Sequence, residues 1–266
     1  MADTDRQTIQ GRTADGTVGK ALEVMDRVAA RGRPVRFAEL LAESDHPKAT
    51  LYRLLRTLTS QGMLTYDEAR QTYALGLRLV RLAHAAWQQS SLALIARPFL
   101  DALSQQVGET IHLAQMDRGQ VLYMDKRNAR RPVEMFSEAG KIGPGYCTGV
   151  GKAMLAFLPP GDRDKAVNMQ SFFAHTGRTL TTPQALTREL AAIRAAGVSF
   201  DREEHEPGII CIAAPILSSS GRVMGALSIT ASTRRTTLDG LDQLRPALSD
   251  TARKIVAAAE TWQFPD

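Results

Sequence analysis

The amino-acid sequence predicts an α+β chain: an N-terminal winged helix-turn-helix, a helical connector, and a C-terminal domain with a mixed or antiparallel sheet flanked by helices. Three observations carry that prediction. A length of 266 residues exceeds one typical domain. Apolar residues keep a helical spacing through the first third of the chain, and the period changes from Thr110 onward. Asp117-Arg118-Gly119 and Ser218-Ser219-Ser220-Gly221 each join two apolar runs, the mark of antiparallel hairpins.

The stretch from Met1 to Gly16 is polar, rich in Asp, Thr, Arg and Gln. It reads as a disordered tail over 1–16 and not as a signal peptide. From Val18, the residues Ala21, Leu22, Met25, Val28 and Ala29 form the stripe of a first helix, ended by Arg31-Gly32-Arg33-Pro34. A second, short helix carries Phe37, Leu40 and Leu41 and stops near Ser44-Asp45. Pro47 suits the first position of a third helix, buried through Leu51, Leu54, Leu55 and Leu58 and capped at Gly62. Two short helices joined by a tight turn make a helix-turn-helix. Strands at Met63–Tyr66 and Thr72–Leu75, around the loop Asp67–Gln71, form the wing, so this domain spans 17–76.

Charge points this domain at nucleic acid. The net charge of +5 and a sequence pI near 9.4 permit an anionic partner. More telling, no carboxylate occurs between Asp45 and Asp67, while Lys48, Arg53 and Arg56 fall inside that window. Lys48, Thr50, Arg53 and Thr57 project away from the leucines, and Tyr52 and Arg56 complete the candidate set for a major groove of operator DNA. Arg33 and Arg36, beside the second helix, and Arg70 in the wing are candidates for backbone contacts.

A connector helix is expected over 77–90, with Leu79, Leu82, Ala83, Ala86 and Trp87 on one side. That stripe suits pairing of two chains, or packing against the chain's own C-terminal domain. The second domain, 91–266, begins with a helix near Ser91–Val107 that Pro98 interrupts or restarts. A hairpin follows, Ile111–Met116 with Val121–Met124, and Val133–Phe136 reads as a third strand. Later strands are Val198–Arg202, Ile209–Ile216 and Val223–Thr230. Thr182 caps a helix with Pro183 at its first position and Gly197 beyond its end. Leu241, Leu244, Leu248, Ile255 and Ala259 mark a final amphipathic helix.

Composition narrows the classes further. The chain is 44% hydrophobic and 23% charged, ordinary for globular protein. No apolar run approaches the ~18 residues that span a bilayer, so a cytoplasmic location without a membrane partner is expected. Cys147 and Cys211 lie far apart and without metal-ligand spacing, so buried thiols, no metal and no cofactor are expected. Gly149-Val150-Gly151-Lys152 fails the phosphate-loop motif, because Tyr146 and Ala153 stand where glycine and Ser or Thr are required. Met154 breaks a dinucleotide fingerprint at the same place. An enzyme is the alternative class: Asp201-Arg202-Glu203-Glu204-His205-Glu206 offers acids and bases, and Cys211 a nucleophile. No oriented triad or second ligand cluster accompanies them, and the acidic run reads as a solvated loop.

From about Thr17 to Gln263 the chain resembles the IclR family of bacterial transcriptional regulators. The resemblance is carried by PKATLYRLLRTLTSQGML, TYALGLRL, CTGVGKAMLA, DREEHEPGIICIAAPI and GRVMGALSIT, in that order. It implies a GAF-like effector-binding domain, a homodimer or dimer of dimers, and a ligand-responsive regulator of a carbon-catabolic pathway, a repressor or else an activator. The implied effector is a small organic acid or related metabolite bearing a carboxylate. Family pockets draw on positions that are here Asp201, Cys211, Ser228 and Thr230, the backbone at Gly149 and Val150, and apolar wall positions such as Met135. The chemistry agrees, since free amides at a helix start bind anions. Ser228 and Thr230, two apart on a strand, share a face. The sequence departs from the family at Asp45-His46, where Gly-Leu is usual, at Ala49, a frequent serine, and at Thr230, where serine is common. Gly143 and Gly145, flanking Pro144, stand where bulky apolar residues are usual; they predict an enlarged pocket and a ligand larger than a two- or three-carbon acid.

Overall fold

The computed structural model describes residues 16–89 and 92–261, without the side chains of 84 and 86–89. The expected tail therefore lies outside the described residues, except Gly16, where the first helix begins. Two compact units divide after Gln89.

In the first unit, α1 (Gly16–Ala30), α2 (Phe37–Ala42) and α3 (Lys48–Ser60) enclose a core with a three-stranded sheet. Val24, Val28, Leu40, Leu51, Leu54, Leu55 and Leu58 fill it. The sheet has the order β1-β3-β2, from β1 (Val35–Arg36), β2 (Leu64–Asp67) and β3 (Thr72–Leu75). The hairpin β2–β3 is the expected wing; β1 is too short to leave a periodic signal. Pro47 is the residue before α3 rather than its first residue, and it supplies no side-chain cap. Asp45 and His46 tie the preceding turn back to α1: Asp45 lies 3.3 Å from Arg27, and His46 3.3 Å from Glu23. α4 (Leu77–Gln89) completes the unit. Its expected stripe divides, because Leu79 packs on the unit's own core while Leu82 and Ala83 are exposed. The side chains of Ala86 and Trp87 fall outside the description.

The second unit is a six-stranded antiparallel sheet, ordered β6-β5-β4-β9-β8-β7. Its strands are β4 (Thr110–Asp117), β5 (Gln120–Arg127), β6 (Ile142–Gly143), β7 (Ser199–Arg202), β8 (Ile209–Leu217) and β9 (Val223–Ser232). α5 (Leu92–Val107) and α10 (Arg245–Thr261) cover one face, with Ile111, Ile229 and Ile212 aligned in register beneath them. On the other face lie α6 (Gly149–Phe157), α7 (Pro160–Asn168) and α8 (Pro183–Ala196). α8 is capped as expected: Thr182 accepts from the Ala185 amide, and Gly197 turns the chain at φ +74°, where a side chain would be strained.

Three expectations need correction. α5 runs through Pro98 without a break, with the proline on the exposed side of the helix. Val133–Phe136 is not a strand; the Phe136 amide donates to the Glu206 carboxylate at 3.0 Å instead of entering a ladder, and the strand beside β5 is β6. Leu241 belongs to a separate short helix, α9 (Leu238–Asp242), and Leu244 to the turn between it and α10.

Candidate functional site

The outer face of α3 is built by helical period alone. Leu51, Leu54, Leu55 and Leu58 are buried, which forces Lys48, Tyr52, Arg53, Arg56 and Thr57 outward; Thr50 is half-buried. Lys48, Arg53 and Arg56 have no carboxylate partner among the described residues. Arg36 is exposed at the end of β1, and Arg70 is exposed at the wing, 4.0 Å from Asp67. Arg33 differs, for its guanidinium donates to Glu39 at 2.5 Å. That bond, with the Arg36 amide, holds the Glu39 carboxyl down at about 2. A phosphate would have to compete with Glu39 for Arg33.

The second site lies between the sheet and the start of α6. Antiparallel register sets Asp201, Cys211, Thr230 and Thr110 in one row, and Ser199, Ala213, Ser228 and His112 in the next row on the same face. Thr148 caps α6 by accepting from the Gly151 amide at 3.3 Å, so the helix start opens beside these rows. The enclosed space is about 30 Å³. Six of the expected effector positions line it: Gly149, Val150, Asp201, Cys211, Ser228 and Thr230. Met135 is buried but does not line the cavity.

Several lining residues were not among the expected effector positions: His112, Tyr123 and Ser137, and also His205 and Glu206, which the sequence offered only as acids and bases of an enzyme. His112 had a signal, being a polar residue inside the apolar run Ile111-His112-Leu113; Ser137 had none. His112 Nδ1 lies 3.2 Å from Thr230 Oγ1 and 3.4 Å from Ser228 Oγ, while Nε2 lies 2.8 Å from Ser137 Oγ. Burial pulls the imidazole down to about 3, aided by Lys126, so the ring is neutral, with one nitrogen donating and the other accepting. Burial also pushes Asp201 up to about 7, against the Glu204 amide that donates to it at 2.7 Å. Cys211 is pushed up to about 12 by the same burial, which favours the thiol over the thiolate.

The acidic run is not a solvated loop. Asp201 and Glu204 are both buried, and the fully buried Lys152 pairs with Glu204 and, at 3.4 Å, with Glu189. Arg202 reaches Glu189 at 2.8 Å. A buried carboxylate needs such a counter-charge, and α6 supplies it from one turn inside its start.

Gly143 and Gly145 do not enlarge the cavity. A Cβ on Gly143 would meet the Tyr123 ring at 3.2 Å, and one on Gly145 would overlap the Gly119 carbonyl. The room left by the missing side chains is already filled, so the inference of a larger ligand falls. Among the described residues, no helix is long and apolar enough to cross a membrane.

Comparison with known proteins assigns both units. The IclR helix-turn-helix domain matches residues 17–68, and the bacterial transcriptional regulator IclR C-terminal domain matches 84–257. The HTH-type transcriptional regulator KdgR of Escherichia coli is 30% identical over 266 residues, covering 99% of this chain and 98% of that protein. The Thermotoga maritima IclR structure superposes with a TM-score of 0.73 at 26% identity, over 91% of this chain and 97% of that one. An IclR homolog from Microbacterium hydrocarbonoxydans, complexed with 4-hydroxybenzoate, shares the fold with a TM-score of 0.81 at 21% identity, over 93% of this chain and 100% of that one. The matched families and relatives are transcriptional regulators, not enzymes, and the chain belongs with them to the IclR family of bacterial transcriptional regulators.

Proposed function

We propose that this protein represses genes of a small-molecule, carbon-catabolic pathway by binding double-stranded operator DNA, and that a small carboxylate bound in its C-terminal domain relieves the repression. The observation that carries the effector reading is the convergence of Asp201, Cys211, Ser228 and Thr230 with the Gly149–Val150 backbone on one polar cavity, which at about 30 Å³ must widen to take a carboxylate. In this reading the amides at the α6 start turn toward the ligand and hold the carboxylate. The hydroxyls of Ser228 and Thr230, backed by neutral His112, hold a hydroxyl or carbonyl oxygen of the ligand. Residues 17–76 serve as the DNA-binding domain, 77–90 as the connector and 91–266 as the effector domain. The protein works in the cytoplasm as a homodimer or dimer of dimers, since two recognition helices on two half-sites supply specificity that one cannot.

On the DNA side, Lys48, Thr50, Tyr52, Arg53, Arg56 and Thr57 enter a major groove, while Arg33, Arg36 and Arg70 contact the backbone. Effector binding shifts the paired recognition helices through the connector; a coupling of ~1–3 kcal/mol changes DNA affinity ~5–150-fold.

The test uses the full chain, its own upstream DNA, and two- and three-carbon hydroxy- and keto-carboxylates, with 4-hydroxybenzoate as a larger comparison, screened by thermal shift. Asp201→Ala combined with Ser228→Ala should bind the operator as the wild type does and no longer release it on addition of the carboxylate. A double variant that responds normally overturns the cavity assignment. Arg53→Ala should weaken operator binding and reduce its salt dependence; unchanged affinity and slope overturn the docking of α3.

A further inference from the structure

The first unit holds a feature that borders the basic face of α3: a groove of about 770 Å³ between the outside of α3 and the wing. One wall is Phe37, at the start of α2, and Tyr52, on the second turn of α3, their rings edge to face with centroids 6.3 Å apart. The opposite wall is Tyr66 and Tyr73, register partners on β2 and β3, with centroids 4.7 Å apart. The row Val35–Tyr73–Tyr66 crosses the sheet from the core outward. Val35 and Tyr73 are buried, but β2 is the edge strand, so nothing in the sheet lies beyond Tyr66.

Tyr52 and Tyr66 are 56% and 41% exposed, a large aromatic surface to leave in water on a unit of this size. The lining also explains which partner it fits. Arg36 and Lys48 border the rings, and no acidic side chain lines the groove. The first turn of α3 opens onto it at Lys48 and Ala49; because Pro47 supplies no side-chain acceptor, the positive end of that helix adds to the two cations. Rings bordered by cations and free amides, with no anion, suit a polyanion whose repeating units have apolar faces. A sugar–phosphate chain is such a polymer.

We propose that this groove seats the sugar–phosphate backbone of one operator strand. Its phosphates meet Arg36, Lys48 and the tyrosine hydroxyls, and its deoxyribose faces lie on Tyr52 and Tyr66. The inference rests on the docking of α3 proposed above, because a helix in a major groove is flanked by the backbone that walls the groove. It adds Tyr66 and the groove itself to the interface, and it moves Lys48 and Tyr52 from the base edges to the backbone, a positioning role without base discrimination.

The experiment measures anisotropy of two labelled duplexes, the protein's own upstream DNA and a scrambled duplex of equal length, across a salt series. Tyr66→Ala should weaken both duplexes alike, by about tenfold, with the salt slope unchanged because no charge is lost. Tyr66→Phe, which keeps the ring and loses the hydroxyl, should fall between. Lys48→Ala should weaken both and reduce the slope by about 1. Tyr52→Ala, on the other wall and equally exposed, repeats the test if Tyr66→Ala unfolds at a lower temperature. Unchanged affinity in both tyrosine variants, or a loss confined to the operator duplex, overturns the backbone seat. If those variants are silent while Arg53→Ala still weakens binding, the groove inference alone has failed; if Arg53→Ala is silent too, the docking of α3 has failed with it.

Discussion

The sulfur of Cys211 occupies the space that a Cβ on Gly149 would need, so the first turn of α6 meets β8 with only backbone on the helix side. This close approach brings the α6 amides to the Asp201–Cys211–Thr230 row. Gly149→Ala must push either the sulfur or the helix aside, at a cost of about 1–3 kcal/mol from overpacking. Operator binding should survive and the carboxylate response should be lost. Cys211→Ala removes the clashing atom, so the double variant should recover most of the lost stability. Urea unfolding of the wild type, the two single variants and the double variant checks this; strictly additive losses would refute the contact.

Asp201 lines the cavity as an acid that is about half protonated near neutral pH. Its protonated form can donate a hydrogen bond to a bound carboxylate, whereas its anion repels one. Affinity for the carboxylate ligand should therefore fall as pH rises through about 7. Asp201→Asn stays neutral at every pH and should flatten that dependence. Calorimetric titration between pH 6 and 8, roughly one unit on either side of that midpoint, decides it; parallel curves for wild type and variant would exclude the role.

What could be read in advance follows from the range of the interactions. The outer face of α3 was legible because a 3.6-residue period and the leucine stripe lie within thirteen residues. The wing and the caps of α8 were legible for the same local reason. The cavity was not: Asp201, Cys211 and Thr230 came from family likeness, and their shared row is a product of strand register, which periodicity does not reveal. The acidic run misled because its neutralising partner, Lys152, lies 52 residues before Glu204. Val133–Phe136 misled because its alternation resembles a strand, while Glu206, 70 residues after Phe136, takes the amide.

The Lys152–Glu204 pair should behave as a buried ion pair, worth little net but costly to break on one side. Both side chains are almost wholly withdrawn from water, and Glu204 also presents its amide to Asp201. Lys152→Met leaves the buried carboxyl without its cation and should lose about 3–5 kcal/mol. Adding Glu204→Gln removes the stranded charge and should restore a large part of that. Chemical denaturation of the three variants measures it, and a Lys152→Met protein as stable as the wild type would show that Arg202, 3.8 Å from Glu204, suffices alone.

His112 sets the acid limb of stability with a sign opposite to that of Asp201. Its folded value of about 3 lies below the ordinary 6.5, so between those limits the unfolded chain takes up a proton that the folded chain refuses. Stability from this group is complete above 6.5 and drains away as the pH falls toward 3. Asp201 does the reverse: its folded value exceeds the ordinary 3.8, so its protonation favours the folded state as the pH falls from about 7. The two offset each other between 6.5 and 3.8, so their joint effect on wild-type stability should be small across that window. His112→Asn keeps a donor and an acceptor for Ser137 and Ser228 but cannot titrate, leaving Asp201 unopposed. That variant should gain stability relative to the wild type on acidification, with a slope difference of up to about 1.4 kcal/mol per pH unit. Denaturant midpoints of both proteins from pH 7 down to 5, within the window where both groups act, provide the comparison. Superimposable pH dependences would mean that His112 is not held neutral against Ser137, Ser228 and Thr230.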